Sequence, residues 1–303
     1  MRKRGYRAMT LPCLWEPLRL IGARARREAP PVIPASAIGS WHWCSLKAWH
    51  NTSLFNTGWL SLDRLDSREL EGLLYLWVAE LWKKGRERII TGRLIHGDSF
   101  EDTLGEAITG PKLAEILVRG GVDALIKLVE SGVIGAGLID PGEYEEQLER
   151  YRSASDLVEY FRREEWPMIA RRPRGERYTV IGVPDDISYG GGGLRIVELK
   201  TSSKPWLVRR RSRGYLAAKT QLATYAWILV ERWPVEEAVL VYKDVTGRTF
   251  LEERFAPEDL AEWFEKEILP EIVENLASTK PPAPPGKAPC KTCEYGRALD
   301  ASM

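Results

Sequence analysis

The chain has 303 residues, 44% hydrophobic and 29% charged, which excludes a disordered polymer and allows one large core or two modest ones. A formal net charge of +1 excludes a uniformly cationic protein, so any nucleic-acid surface must be a local basic patch. No apolar run approaches the roughly 20 residues of a membrane-spanning helix. Glu16 and several arginines interrupt the basic N-terminal stretch, so neither anchor nor secretory leader is expected and a cytoplasmic location follows.

Two glutamines and three asparagines stand beside 30 arginines and 14 lysines. Scarce thermolabile amides with abundant ion-pairing residues point to a thermophilic source.

In chain order, residues 1–35 read as an irregular basic leader and residues 36–104 as a helical part that opens on the aromatic-dense Ser36–Cys44 segment. Within that part Leu70, Leu73, Leu74, Trp77, Val78 and Leu81 recur at spacings of three and four, which predicts an amphipathic helix over Asp66–Lys84. Residues 105–170 read as a helical insertion: one helix over Pro111–Val129, interrupted at Gly120-Gly121, and a long charged one over Glu143–Trp166. Residues 171–279 change character. Strands are predicted over Arg177–Ile187 and Leu194–Thr201 around a turn at Gly190–Gly193, then a helix over Gly214–Arg232. A hairpin follows, Glu237–Val245 with Arg248–Phe255, and then a closing helix over Pro257–Leu276. Residues 280–303 form a proline-rich tether ending in Cys290-Lys291-Thr292-Cys293. This order predicts an α/β (α+β) protein with a mixed central sheet flanked by helices.

The most informative residues are Asp185 and the Glu198-Leu199-Lys200 triplet, with twelve residues between Asp185 and Glu198. Side chains alternate faces along a strand, so Leu194, Ile196, Glu198 and Lys200 share one face. If the two strands pair through the glycine turn, Asp185 approaches Glu198. Two carboxylates with the Leu199 carbonyl then offer hard oxygen ligands suited to Mg²⁺ or Mn²⁺. Lys200 would orient the attacking water and offset charge on a phosphate. A strand ending in Glu-x-Lys is ordinarily a solvated surface pair. Here the charges end an apolar run on a strand that reads as central, where unpaired charge is costly.

Two further segments frame this set: Gly92-Arg93-Leu94-Ile95-His96 upstream, and Gln221 with Tyr225 downstream on one face of an amphipathic helix. Together these residues resemble the RecB-like branch of the PD-(D/E)XK nuclease superfamily, whose motifs GxxxH, GxxD, (D/E)xK and QxxxY occur here in that order. The resemblance implies that His96, Asp185 and Glu198 are metal ligands and Lys200 the catalytic lysine. It also implies that Gln221 and Tyr225 position Lys200 and the DNA strand. Asp186 could take the place of Asp185, although the GxxD spacing favours Asp185. The 89-residue step from His96 to Asp185 is long for compact members, which is where the helical insertion falls.

The loop after Lys200 carries Lys204, Trp206, Arg209, Arg210, Arg211 and Arg213. Its arginines attract phosphates and its tryptophan offers a surface for base stacking, against the plainer reading of a solvated turn.

One early cysteine, Cys44, and the late pair Cys290 and Cys293 bracket the core and resemble the CRISPR-associated iron–sulfur exonucleases, the fourth Cas family. That resemblance implies an iron–sulfur cluster tying the chain ends, trimming of DNA ends during spacer acquisition, and Cas integrase partners. The third late cysteine of that pattern, expected near Leu299, is missing. Cys13 is then either a substitute fourth ligand or a bystander. A zinc site completed by His42 or His50 is the competing reading. The same architecture occurs in viral and repair nucleases. A catalytically idle DNA-binding scaffold and a restriction-type endonuclease would also carry motifs of this kind.

Overall fold

The structure is a computed structural model and describes residues 15–28, 31–56, 62–74, 119–127, 149, 151, 153–163 and 168–282. The chain divides into two compact units, one made of Gly22–Leu60 with Ile134–Pro285, the other of Met1–Ile21, Ser61–Val133 and Gly286–Met303.

In the second of these, residues 67–74 are helical, with Leu73 and Leu74 buried. Asp66 caps that helix: its Oδ1 accepts from the N–H groups of Arg68 and Glu69, and Glu69 Oε2 accepts from the Asp66 N–H. The rest of the helix expected over Asp66–Lys84 lies outside the described residues. Residues 119–127 are helical through Gly120 and Gly121, with Gly121 at φ +60°, so no break is seen there among the described residues.

The larger unit holds two sheets. Helix α1 (Trp15–Glu28), which begins in the segment read as irregular, precedes β1 (Val32–Pro34), α2 (Ala35–Ser40) and α3 (Ser45–Asn56). After α4 (Ala154–Arg163) come β2 (Ile169–Arg171) and β3 (Thr179–Gly182). These strands form a small sheet in the order β1-β3-β2, with β1 parallel and β2 antiparallel to β3. Asn56 ties α3 to this sheet: its side chain accepts from the Val32 N–H at 2.7 Å and donates to the Val32 carbonyl at 2.8 Å.

The second sheet runs β4 (Asp186–Gly190), β5 (Gly193–Ser202), β6 (Val235–Asp244), β7 (Thr249–Phe255), and helix α5 (Arg213–Leu229) connects the parallel pair β5 and β6. A closing helix follows as α6 (Pro257–Trp263), a π-helical stretch (Phe264–Val273) and α7 (Glu274–Ala277). The π-helical stretch contains Pro270, whose missing N–H cannot serve the regular ladder.

Three further expectations change. The single strand read over Arg177–Ile187 is two strands in different sheets, broken at Val183–Asp185, because Pro184 supplies no N–H for a ladder. The long helix read over Glu143–Trp166 is not continuous. Tyr151 is non-helical, and Ser153 with Asp156 forms a reciprocal cap that starts α4 afresh. Finally, α5 is more than amphipathic: Tyr215, Ala217, Ala218, Thr220 and the run Leu222–Leu229 are all buried. A helix apolar nearly all round must be covered on both sides. The sheet packs against α5, and α2 and α6 pack against it as well.

Leu194, Ile196, Ala238, Leu240 and Tyr242 belong to this main core, whereas Val197, Val239 and Val241 form a separate cluster. Alternation along β5 therefore divides its side chains between two buried faces. Among the described residues no helix is long and apolar enough to cross a membrane.

Candidate active site

Strand β5 carries the charged pair inward. Leu194 and Ile196 are fully buried, and Glu198, next on the same face, is only 1% exposed. Two positions further on, Lys200 is half-buried, and its ammonium pairs with Glu198 Oε1. This ion pair joins a nearly fully buried carboxylate to a cation at the cavity. Burial pushes the Glu198 carboxyl up to about 7; Lys200 opposes the rise and the nearby charge of Asp185 adds to it.

Asp185 sits at the open edge of β5, just before β4 begins. Its N–H donates to the Val197 carbonyl at 3.1 Å, and its Oδ2 accepts from the Leu199 N–H at 2.7 Å. A strand residue's N–H and C=O leave on the same side, so the Leu199 carbonyl faces this edge too. Asp186 is placed differently: it pairs with Val197, and directly opposed residues share a face, so it lies on the sheet face away from Glu198. The register thus puts Asp185, and not Asp186, beside Glu198.

Helix α5 covers the pair. Burial holds the Tyr225 hydroxyl far above its usual pKa, and the negative charges of Glu198 and Asp185 and a hydrogen bond to Glu198 raise it further. The ring of Tyr225 lies against Gly182, where an added Cβ would come within 2.5 Å of it. One turn earlier Gln221 packs on Gly39 of α2, where a Cβ would come within 2.7 Å of the Ala217 carbonyl and 2.9 Å of the Gln221 side chain. Both glycines are required for close approach rather than for backbone conformation. Gly182 opens the spacing that ends at Asp185, so residues from two sequence motifs touch. Tyr242, opposite Lys200 on β6, donates to the Gly214 carbonyl at 3.0 Å; burial, then Glu198, pushes its hydroxyl up to about 12.

The basic loop contains a short 3-10 turn, Pro205–Leu207, and Ser212 caps α5 by accepting from the Tyr215 N–H. Lys204, Trp206, Arg209, Arg211 and Arg213 are exposed. Arg210, also exposed, pairs with Glu253 of β7 at 3.1 Å, and the same carboxylate accepts from the Tyr215 hydroxyl. No sequence signal linked Glu253 to that loop. A cavity of about 640 Å³ opens beside it, with Lys200, Trp43, Lys204, Leu207, Arg213 and Gln221 among its lining.

His96, Cys13, Cys290 and Cys293 lie outside the described residues. Cys44 is half-buried just before α3. His42 Nε2 is hydrogen-bonded to Thr220 Oγ1 at 2.8 Å, and His50 is fully buried with its ring edge against Trp49. Among the described residues no three His, Cys, Asp or Glu side chains group to hold a metal. Two carboxylates and a carbonyl do converge at the β5 edge. This all-oxygen set fits a hard divalent cation.

The fold is a mixed α/β arrangement, mixed sheets flanked by helices, with a buried carboxylate–lysine pair at a strand end. Residues 91–298 match the model of the PD-(D/E)XK nuclease superfamily, and the chain belongs to that superfamily. It is therefore a nuclease domain, and DNA is the implied substrate. The chain is also similar to a solved structure described as "Crystal structure of SSO0001", at 19% identity, covering 74% of this chain and 94% of that one, with a TM-score of 0.28. No curated protein matches the chain.

Proposed function

We propose that this nuclease hydrolyses phosphodiester bonds in single-stranded DNA, or in the single-stranded ends of duplexes, as an exonuclease. The observation that carries the chemistry is Glu198: a carboxylate 1% exposed, adjoined by Asp185 and paired with Lys200, which lines a cavity. Asp185, Glu198, the Leu199 carbonyl and His96 would hold Mg²⁺ or Mn²⁺. When bound, the ion supplies Lewis acidity toward a phosphoryl oxygen. Lys200, at the mouth, orients the attacking water and offsets charge building on the phosphate. Gln221 and Tyr225 fix that lysine and its carboxylate from above. Lys204, Trp206, Arg209, Arg210, Arg211 and Arg213 guide the strand. In this reading residues 171–279 are the nuclease core, 105–170 an insertion, 36–104 a helical part, and 1–35 and 280–303 the flanking segments.

Closed circular single-stranded DNA tests the mode of attack. With Mn²⁺ a linear strand should be degraded to short products and the circle left intact, and EDTA should stop the degradation. Cutting of the circle at a comparable rate would make the enzyme an endonuclease.

The cysteine arrangement supports a cytoplasmic role in CRISPR adaptation beside Cas integrase proteins, with a cluster held by Cys44, Cys290 and Cys293 and a fourth ligand such as Cys13. A viral or repair setting shares the same chemistry. Protein purified without oxygen is expected to be brown, losing its visible absorption in Cys44→Ser and Cys293→Ser. Colourless protein with stoichiometric zinc would replace the cluster with a zinc site.

A further inference from the structure

We infer that Trp43 and Leu207 are the two walls of a subsite for an unpaired nucleobase of the strand whose phosphate Lys200 engages. The inference rests on the nuclease reading above and adds to it the reason for a single-strand preference.

The sequence offers Trp206 as the base-stacking residue of the basic loop. In the structure Trp206 is 69% exposed and is not part of the cavity lining, whereas two other exposed large hydrophobics, Trp43 and Leu207, are. These two are 48% and 59% exposed, and they come from segments far apart in the chain. Trp43 belongs to the turn between α2 and α3, its N–H donating to the Ser40 carbonyl, and Leu207 to the loop after β5. Trp43 is not a loose surface side chain. Its six-membered ring lies 3.3 Å from where a Cβ would stand on Gly214, so the absent side chain at the start of α5 leaves room for it.

Large apolar groups left in water beside a cavity mark a binding surface. The charge around these two names the occupant. Lys200 lies within the cavity, Lys204 and Arg213 line it, and neither of the latter makes an ion pair among the described residues. An aromatic face, an aliphatic face and adjacent cations match a flat base joined to phosphates. Within a duplex the base faces are covered by neighbouring pairs, so a base enters this space only from an unpaired strand or after leaving the stack.

The test measures binding of a fluorescent single-stranded oligonucleotide to the full-length chain in EDTA, with one abasic residue moved along the strand. Cleavage of the unmodified strand in Mn²⁺ is assayed separately. Trp43→Ala should weaken single-strand binding by about 5- to 150-fold, the range for losing one base–aromatic stack. Trp43→Phe should retain most of the affinity, and duplex binding should change little. At one position the abasic residue should weaken wild type but leave Trp43→Ala unaffected. Should Trp43→Ala misfold, Leu207→Ala takes its place in the same walk. Equal losses on single strand and duplex, or an abasic profile identical in wild type and variant, overturn the inference. If Mn²⁺-dependent cleavage persists in that case, the nuclease reading stands alone. If the wild type cleaves nothing yet shows the Trp43-dependent position, the base subsite stands and the nuclease reading falls.

Discussion

Lys200→Ala is expected to lower kcat for DNA hydrolysis by about 10²- to 10³-fold while changing the affinity for DNA only severalfold, the pattern of a charge used in the transition state. The lysine is half-buried, so its loss opens no large core cavity. Its partner Glu198, however, is 1% exposed and would be left buried without a neighbouring cation. Lys200→Arg should not restore the rate, because a planar, wider guanidinium cannot take the same place between Glu198 and the cavity. Single-turnover rates in Mn²⁺, with circular dichroism to verify folding, read the result. A Lys200→Ala enzyme retaining more than about a tenth of wild-type kcat would remove Lys200 from the chemistry, since proton-transfer and charge-stabilising groups ordinarily contribute far more.

The second large effect concerns stability. In chelator, Glu198→Gln should be more stable than wild type above neutral pH by about 3 kcal/mol and close to it near pH 4. The reason is the folded carboxyl at about 7 against an ordinary 4.5. The folded state holds the proton more tightly than the unfolded state, so the stability due to the protonated form is fully present below 4.5. It is lost as pH rises through 7. Each pH unit of difference amounts to about 1.4 kcal/mol. Gln has no proton to lose, so the variant's urea midpoint should stay flat across that window while the wild type's falls. Parallel pH profiles for the two proteins would show that burial does not strain this carboxylate. A binding group held at a cost to the empty fold is the expected trade at a functional site.

The site was unevenly legible in the sequence. The strand carrying Glu198 and Lys200 declared itself, because the apolar positions Leu194 and Ile196 set a period of two that no helix would keep. The same rule misled just upstream. An apolar stretch with β-branched residues reads as one strand over Arg177–Ile187, whereas Pro184 breaks it and sends its halves to different sheets. The GxxD spacing favoured Asp185 over Asp186 without excluding the latter, and cross-strand register puts Asp186 on the other face of the sheet. The aromatic-rich Ser36–Cys44 segment was conspicuous in composition, yet nothing in its order put Trp43 at the cavity. In the sequence Gly182 is only the first residue of a GxxD spacing and Gly39 one position of an aromatic-rich segment. Their use, admitting Gln221 and Tyr225 to close contact, depends on helices and strands distant along the chain.

By itself the sequence determined the element types of the core, the carboxylate–lysine pair and the order of its motifs, because these follow from local periodicity and residue chemistry. Only the tertiary structure decided which aspartate stands beside Glu198, that α5 is buried on nearly every side, and which aromatic residue lines the cavity. Those properties arise from pairing register and packing between segments far apart in the chain, and no local pattern encodes them.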